Sequence, residues 1–174
     1  MLSGLFSLVK WNPYNLAAIN INTKKYVDLP PLLDIQHGIS FANNDKYLFI
    51  GSGFEKYGET TVNGLVRLNR SDLSISPFDH EISNAEGAFF IRNLALGDEG
   101  LYVSGFFNEL SGYASIDAGS FNVVAGSARQ NICLLDVETA ALKPWNPPPF
   151  NTGSVRVFAF GKDVVLSSDF YTIP

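Results

Sequence analysis

Residues 100–107 read Gly-Leu-Tyr-Val-Ser-Gly-Phe-Phe, residues 129–136 read Arg-Gln-Asn-Ile-Cys-Leu-Leu-Asp, and residues 141–147 read Ala-Leu-Lys-Pro-Trp-Asn-Pro. Weaker copies of this unit precede it in the chain, and the start of another follows it. A unit that recurs along a chain is the signature of a repeat architecture, in which each unit buries its apolar face against its neighbours. The sequence therefore predicts a repeat protein.

The most regular part of the unit has two apolar residues, two small residues, a variable position and a Phe. It occurs four times, and the closing Phe residues are 48, 53 and 63 residues apart. Periods of about 50 residues are typical of propeller blades. The small residues are expected to lie in crowded, buried strands. The four segments are residues 1–6, 49–54, 102–107 and 165–170.

Three further strand-like elements recur along the chain beside these segments, each in three copies, which gives four antiparallel strands per unit. One precedes the segment and is joined to it by a tight polar turn, as in a hairpin. One follows it and ends at an Asn or Asp, and the last ends at Pro, which belongs on an edge strand because it has no amide donor. The elements lie at residues 38–42, 88–96 and 155–160, at 16–20, 64–69 and 131–136, and at 29–31, 76–79 and 143–147.

The stretch from Leu101 to Phe107 resembles the LYVGGxF segment of the delta-60 repeat β-propellers. Residues 131–147 are similar to that family's NLARLDxxTGALxxWNP segment, with Ala140 where the family has a turn glycine. The resemblance implies a propeller that forms part of a larger bacterial surface or secreted protein. It implies no particular reaction. The change at Ala140 leaves open whether this hairpin has the family's turn type.

We therefore predict an all-β fold, a β-propeller of about three to four four-stranded antiparallel blades in an incomplete ring, because known propellers close with about 4–8 blades. The whole chain, residues 1–174, is one repeat region. It is divided into a partial blade at residues 1–48, blade-length repeats at 49–101 and 102–164, and a partial blade at 165–174.

Composition excludes several functions. The net charge is −5, which argues against nucleic acid or an anionic membrane surface as a partner. No stretch approaches the about 20 apolar residues of a membrane span, so no membrane insertion is expected. Residues 1–9 lack the basic start and cleavage site of a signal peptide and align with the repeat. Cys133 is the only cysteine and sits in an apolar run, which favours a buried, unreactive thiol.

One loop is longer than its equivalents. From the closing Phe to the next strand-ending Asn or Asp the distance is 14 and 15 residues in two units and 29 in the third. The extra material lies in residues 111–128, at the end of the unit where the links to the next unit also emerge. Long loops are often functional, so its two aromatic residues, Tyr113 and Phe121, are the predicted partner-binding residues. The alternative is a hairpin that packs on its own blade.

Other chemical groups are explained by turns or are isolated. The Asp residues lie in turns or at strand ends, where they bond the following backbone. Glu109 and Asp117 could form a carboxylate pair in the long loop, but the sequence does not set their separation. His37 and His80 have no further His or Cys at ligand spacing. We therefore expect no catalytic residues, no cofactor and no metal.

The sequence favours a non-catalytic binding or structural module with an extracellular or cell-surface location. Its partner would be an unknown protein or carbohydrate, together with the rest of a propeller or a further copy joined through open blade edges. Two alternatives remain. One is a carbohydrate-active enzyme, which would need carboxylates converging from inner strands that here offer mostly apolar residues with Arg92 and Arg156. The other is an intracellular scaffold.

Overall fold

The structure is a computed structural model that describes residues 16–27, 29, 32–33, 39–80, 82–83, 90–106, 122–124, 127–129, 131–147 and 155–167. Within these ranges the chain is all-β and has no helix, which confirms the all-β part of the predicted fold class. The strands are β1 (Ala18–Ile19), β2 (Tyr26–Val27), β3 (Leu32–Leu33), β4 (Ser40–Asn43), β5 (Tyr47–Gly51), β6 (Lys56–Tyr57), β7 (Thr60–Thr61), β8 (Leu65–Asn69), β9 (Ile75–Ser76), β10 (Ile82–Ser83), β11 (Phe90–Gly97), β12 (Gly100–Phe106), β13 (Asn122–Val124), β14 (Ser127–Arg129), β15 (Ile132–Leu135), β16 (Arg156–Phe160) and β17 (Asp163–Ser167).

These strands form several small antiparallel sheets, and none of them is closed. We call β1–β2 the leading pair and β16–β17 the last pair. The first sheet has the order β4-β5-β8-β9, and the second sheet has the order β11-β12-β15. Two three-stranded side sheets have the orders β3-β6-β7 and β10-β13-β14.

The first sheet contains the four-stranded antiparallel arrangement that the sequence predicts. The Asn44 Oδ1 atom accepts the backbone N–H groups of Lys46 at 2.9 Å and Tyr47 at 2.7 Å, which closes the β4–β5 hairpin. The outer strand β9 ends immediately before Pro77, which has no amide donor with which to continue the ladder. The predicted hairpin and the predicted Pro-ended edge strand are both confirmed here.

The second sheet has the same order, with its fourth strand reduced to a single bridge between Leu135 and Leu142. Tight turns join β11 to β12 and β16 to β17, as predicted. The predicted repeat boundaries at residues 49 and 102 fall within β5 and β12. Each predicted repeat therefore begins in the second strand of a sheet.

The side sheets were not predicted. In the first unit the loop between β5 and β8 forms the hairpin β6–β7, which pairs with β3. In the second unit, β13 and β14 form a hairpin from the end of the long loop, and it pairs with β10. That part of residues 111–128 therefore belongs to a sheet and has a counterpart in the shorter loop.

The larger sheets stack face to face. Successive side chains of a strand point to opposite faces, so a sheet can pack against one neighbour on each side. The burial pattern of β8 and β15, in which nearly every residue is buried, reflects this packing on both faces. The three core clusters join Phe49 with Leu135, Ile50 with Leu16 beside the leading pair, and Tyr102 with Val157 of the last pair.

Small residues lie where neighbouring sheets approach closely. Gly51, Ser52, Ser104 and Gly105 are buried, as predicted. A Cβ atom on Gly51 would stand 2.6 Å from the Ile91 side chain of the second sheet, so a larger residue fits only if that side chain or its strand shifts.

The prediction for the third small pair was wrong at the residue that the structure describes. Ser167 is exposed, because no other described sheet covers the outer face of the last pair. The first strand of the last pair is likewise covered on one face only. Val157 is buried, but Phe158 and Phe160 on the opposite face are exposed.

A recurring hydrogen bond joins consecutive sheets. The backbone N–H of Leu94, in the second sheet, donates to Ser40 Oγ of the first sheet at 2.9 Å. The backbone N–H of Val157, in the last pair, donates to Asn93 Oδ1 of the second sheet at 2.6 Å. Both amides lie on strands at a sheet edge, β11 and β16, where the ladder supplies no partner on one side. A side-chain oxygen of the preceding sheet fills that role in both cases.

The turn after the third strand has one geometry wherever the structure describes it. Its fourth residue has a positive φ, and that residue's N–H donates to the carbonyl of the strand-ending Asn or Asp. Ala140 has φ 63°, so this hairpin keeps the backbone shape that glycine favours, although Ala replaces it. The three turns pair Lys24 with Asn20 at 2.8 Å, Leu73 with Asn69 at 2.8 Å, and Ala140 with Asp136 at 3.0 Å.

We expect Ala140→Gly to stabilise the protein, because glycine adopts a positive φ without the steric strain of a Cβ. The gain should be about 0.5–1 kcal/mol, visible as a higher midpoint in urea unfolding. The control is Ala141→Gly, at an exposed neighbour without positive φ, which should lose about 0.5 kcal/mol. Equal destabilisation by both changes would contradict the turn geometry.

Candidate functional site

A cleft of about 310 Å³ runs along the outer strands of the first sheet, between the β6–β7 hairpin and the chain that leads to β10. Its volume is at the lower end of the range of about 300–1,000 Å³ that holds small ligands. One wall comes from the first unit and the other from the link to the second. Its lining residues are Thr60, Thr61, Val62, Asn63, Leu65, Val66, Arg67, Ile75, Ser76, Pro77, Phe78, Asp79, His80 and Ile82.

Arg67 fixes the inner wall. Its guanidinium donates to Ser76 Oγ at 3.1 Å and to the Pro77 carbonyl at 2.6 Å within the first unit. It also donates to the carbonyls of Val137 at 2.6 Å and Glu138 at 2.9 Å in the second unit. The fork of an arginine can serve several acceptors in this way, which the single ammonium of lysine cannot match.

Two aromatic rings flank the Arg67 guanidinium, with centroids 4.3 Å away for Tyr47 and 4.9 Å away for Phe78. Cation–π contact helps to hold a charge that is almost entirely buried. The Tyr47 hydroxyl donates to Glu138 Oε2 at 2.8 Å, and Lys46 Nζ lies 2.9 Å from the same oxygen. The hydrogen bonds from Lys46 and Tyr47 lower the pKa of Glu138 below its usual range.

His80 fixes the outer wall and is buried. The backbone N–H of Ile82 donates to His80 Nδ1 at 3.1 Å, so the ring proton of the neutral side chain lies on Nε2, which donates to the Val62 carbonyl at 3.2 Å. Burial lowers the pKa of His80 below its ordinary value of 6.5. Both ring nitrogens therefore hold the chain in place and keep β10 close to the β6–β7 hairpin.

The groups that face an incoming molecule are different from those that build the walls. Thr60, Thr61 and Asp79 are exposed at the rim, whereas Phe78 and Ile75 supply partly buried apolar surface. Hydroxyls, one carboxylate and apolar carbon together can recognise a polyhydroxylated ligand by hydrogen bonds and contact with its carbon faces.

The predicted site residues Tyr113 and Phe121 lie outside the described residues, as do Glu109, Asp117 and His37.

Turn roles are confirmed for two predicted Asp residues. Asp72 Oδ1 accepts the Ser74 N–H at 2.9 Å, and Asp136 Oδ1 accepts the Thr139 N–H at 2.9 Å.

Cys133 is buried, as predicted, and burial raises its pKa to about 12. Such a thiol stays protonated and unreactive at neutral pH.

The sequence reading missed the cleft because its walls combine residues from a hairpin and a link that share no motif. The only available signal was the run of residues 76–80, Ser-Pro-Phe-Asp-His, in which several polar and aromatic residues follow an edge strand.

Within the described ranges, no three His, Cys, Asp or Glu side chains come together in a way that could hold a metal ion. Nor does this part of the chain contain a helix long and apolar enough to cross a membrane. No protein-family model, curated protein or solved structure matches the chain.

We expect stability to fall as the pH drops from 7 to 5.5, because His80 has a lowered pKa in the folded protein. The unfolded chain then binds a proton near pH 6.5 that the folded chain resists. The contribution of neutral His80 to the free energy of unfolding is complete above about pH 6.5. It is lost as the pH falls toward the folded pKa, and the free energy of unfolding then falls by at most about 1.4 kcal/mol per pH unit.

Urea unfolding at several pH values measures this slope, with His80→Asn as the comparison. The Asn variant loses part of the wall and should be less stable throughout, but its stability should change less over this pH range. A wild-type slope that the substitution leaves intact would show that another group is responsible.

Proposed function

We propose that this protein is a non-catalytic binding module of the β-propeller type and forms part of a larger bacterial surface or secreted protein. Its ligand would bind at the cleft beside the β6–β7 hairpin. Among the ligand classes considered, protein and carbohydrate, the rim chemistry favours a carbohydrate, because Thr60, Thr61 and Asp79 offer hydroxyl and carboxylate groups. The resemblance to the delta-60 repeat propellers agrees with this class and location.

The propeller part of the proposal is supported by the stacking order. The first sheet, the second sheet and the last pair follow one another along the chain and share buried apolar clusters at their two junctions. The side chains of Ser40 and Asn93 make the same bond to the next sheet. A propeller is built from such successive antiparallel sheets around an axis.

The observation that carries the binding role is the way the cleft uses its ionisable groups. The Arg67 guanidinium donates hydrogen bonds to one side-chain oxygen and three backbone carbonyls. Both ring nitrogens of His80 bond to the backbone of the outer wall of the cleft. General acid–base work needs a group free to exchange a proton with the substrate near neutral pH. Here these two groups shape the cleft, and the rim is left to recognise a ligand.

A glycan array, with the protein labelled at an added tag, tests the proposal. We expect binding to at least one glycan class without release of reducing ends in a parallel assay. Asp79→Asn should weaken that binding at least about fivefold, because it removes a charged acceptor at the rim. Asp163→Asn, at the exposed first residue of β17, is the matched control and should leave binding unchanged.

Two results would overturn the proposal. Release of reducing ends from any glycan would make the protein an enzyme. Absence of binding, or binding equally affected by Asp79→Asn and Asp163→Asn, would remove the cleft as the carbohydrate site and leave a protein ligand.

A further inference from the structure

The three sheet-forming units can be superimposed residue by residue through their pairing registers. Ser40, Asn93 and Arg156 each lie opposite the small residue of the next strand, which is Gly51, Ser104 or Ser167. From this register Phe41, Leu94 and Val157 are equivalent, and so are Phe49, Tyr102 and Val165. The exposed fractions of side chains at equivalent positions can therefore be compared directly.

Exposed apolar residues at the start of the stack occupy positions that are buried elsewhere. Phe41 is 48% exposed, whereas its equivalents Leu94 and Val157 are 4% and 0% exposed. Ile19 of the leading pair is 56% exposed, and its equivalents Leu68 and Leu135 are completely buried. These positions all face backward, toward a preceding sheet. The start of the stack thus presents a face shaped to receive one.

The end of the stack presents the opposite face. Val165 is 50% exposed, whereas Phe49 and Tyr102 at the equivalent position are 0% and 2% exposed. Phe158 and Phe160 lie on the same side of the last pair and are also exposed. In the two interior junctions, a backward-facing surface of the next sheet covers these positions. One chain therefore carries both halves of such a junction.

The two ends are also complementary as incomplete sheets. The last pair contributes the first and second strands of a unit, and the leading pair corresponds to the third and fourth strands. Among the described strands, neither β17 nor β1 has a partner on its outer edge. An open edge beside an apolar face is a template for pairing with another chain.

We propose that the protein associates head to tail with a second copy of itself. The last pair of one copy covers the exposed half of the β4–β5 face in the next copy, and β17 pairs with β1 to complete a four-stranded sheet. The register of the first sheet, in which Phe49 lies opposite Arg67 and Leu48 opposite Leu68, sets that of the new pair. Val165 then lies opposite Ala18, and Val164 lies opposite Ile19. This inference rests on the stacked arrangement proposed above and is independent of the ligand.

One position makes the junction weaker than the interior ones. Ser40 and Asn93 accept an amide of the following sheet, but Arg156 stands at the equivalent place and has no acceptor atom in its side chain. At the junction between copies, the Phe41 N–H of one copy would therefore find no side-chain acceptor on Arg156 of the other. The contact between copies is therefore expected to be reversible, and Arg156→Ser should tighten it about fivefold by restoring an acceptor.

The sequence predicts residues 1–6 to be the equivalent of part of β5 in the leading unit. A segment with that role would compete with the second copy for the open edge of β1. A chain without residues 1–6 should therefore associate at least as well as the complete chain.

Disulfide trapping between copies tests the register. A chain carrying Ala18→Cys is mixed with one carrying Val165→Cys, and the mixture is mildly oxidised and run on a non-reducing gel. We expect a cross-linked dimer, because residues opposite each other on antiparallel strands lie within disulfide distance. Val164→Cys in place of Val165→Cys is the matched control. It should not cross-link, because the neighbouring residue points to the other face of the sheet. The native Cys133 is buried and does not interfere.

Sedimentation equilibrium tests the same contact without oxidation. Phe158→Asp should reduce the average mass at high concentration to that of a single chain. Ile21→Asp, at a residue that is 86% exposed in a turn, should not. A wild-type chain that stays single at high concentration, or cross-links formed equally by Val164→Cys and Val165→Cys, would overturn the proposal. Loss of cross-linking with glycan binding intact would refute the association alone, and loss of glycan binding with cross-linking intact would refute only the binding role.

Discussion

The arrangement of this protein depends on how the amides at the sheet edges are satisfied. A strand at the edge of a sheet carries N–H groups that the ladder cannot use, and a buried amide without a partner costs about 1–3 kcal/mol. In this protein the side-chain oxygen of Ser40 accepts a hydrogen bond from the Leu94 amide of the next sheet. The side-chain oxygen of Asn93 accepts one from the Val157 amide in the same way. Each bond fixes the distance and register between two sheets, so their apolar faces pack in one way. The crowding at Gly51 follows from the same approach.

Arg67 joins the first sheet to the second unit at their outer side. Its bonds to Pro77 in one unit and to Val137 and Glu138 in the next tie an edge strand to a neighbouring turn. The walls of the cleft are held in place by this tie and by the bonds of His80 to Val62 and Ile82. The candidate ligand site is therefore a product of the packing between units, with the rim residues free for recognition.

Patterns that are local in sequence predicted the fold well. Hairpin turns, the Pro-ended strand β9 and the buried Gly51 and Ser104 follow from turn chemistry and crowding within one unit. The side sheets were missed because β3 and β10 are two-residue strands whose partners lie far along the chain. Ser167 was predicted to be buried on the assumption that another sheet follows it, which a local motif does not establish. The cleft escaped prediction for a similar reason, since its walls meet only after two units pack.

Amide hydrogen exchange measured by NMR tests the central claim, that side-chain oxygens of one sheet satisfy edge amides of the next. In the wild-type protein the Leu94 and Val157 amides should both exchange slowly, although each lies on an edge strand. Ser40→Ala should speed exchange at Leu94 and leave Val157 protected, because Asn93 still serves the second junction. Rapid exchange of both amides in the wild-type protein, or equal loss of protection at both sites in Ser40→Ala, would contradict the stacked arrangement.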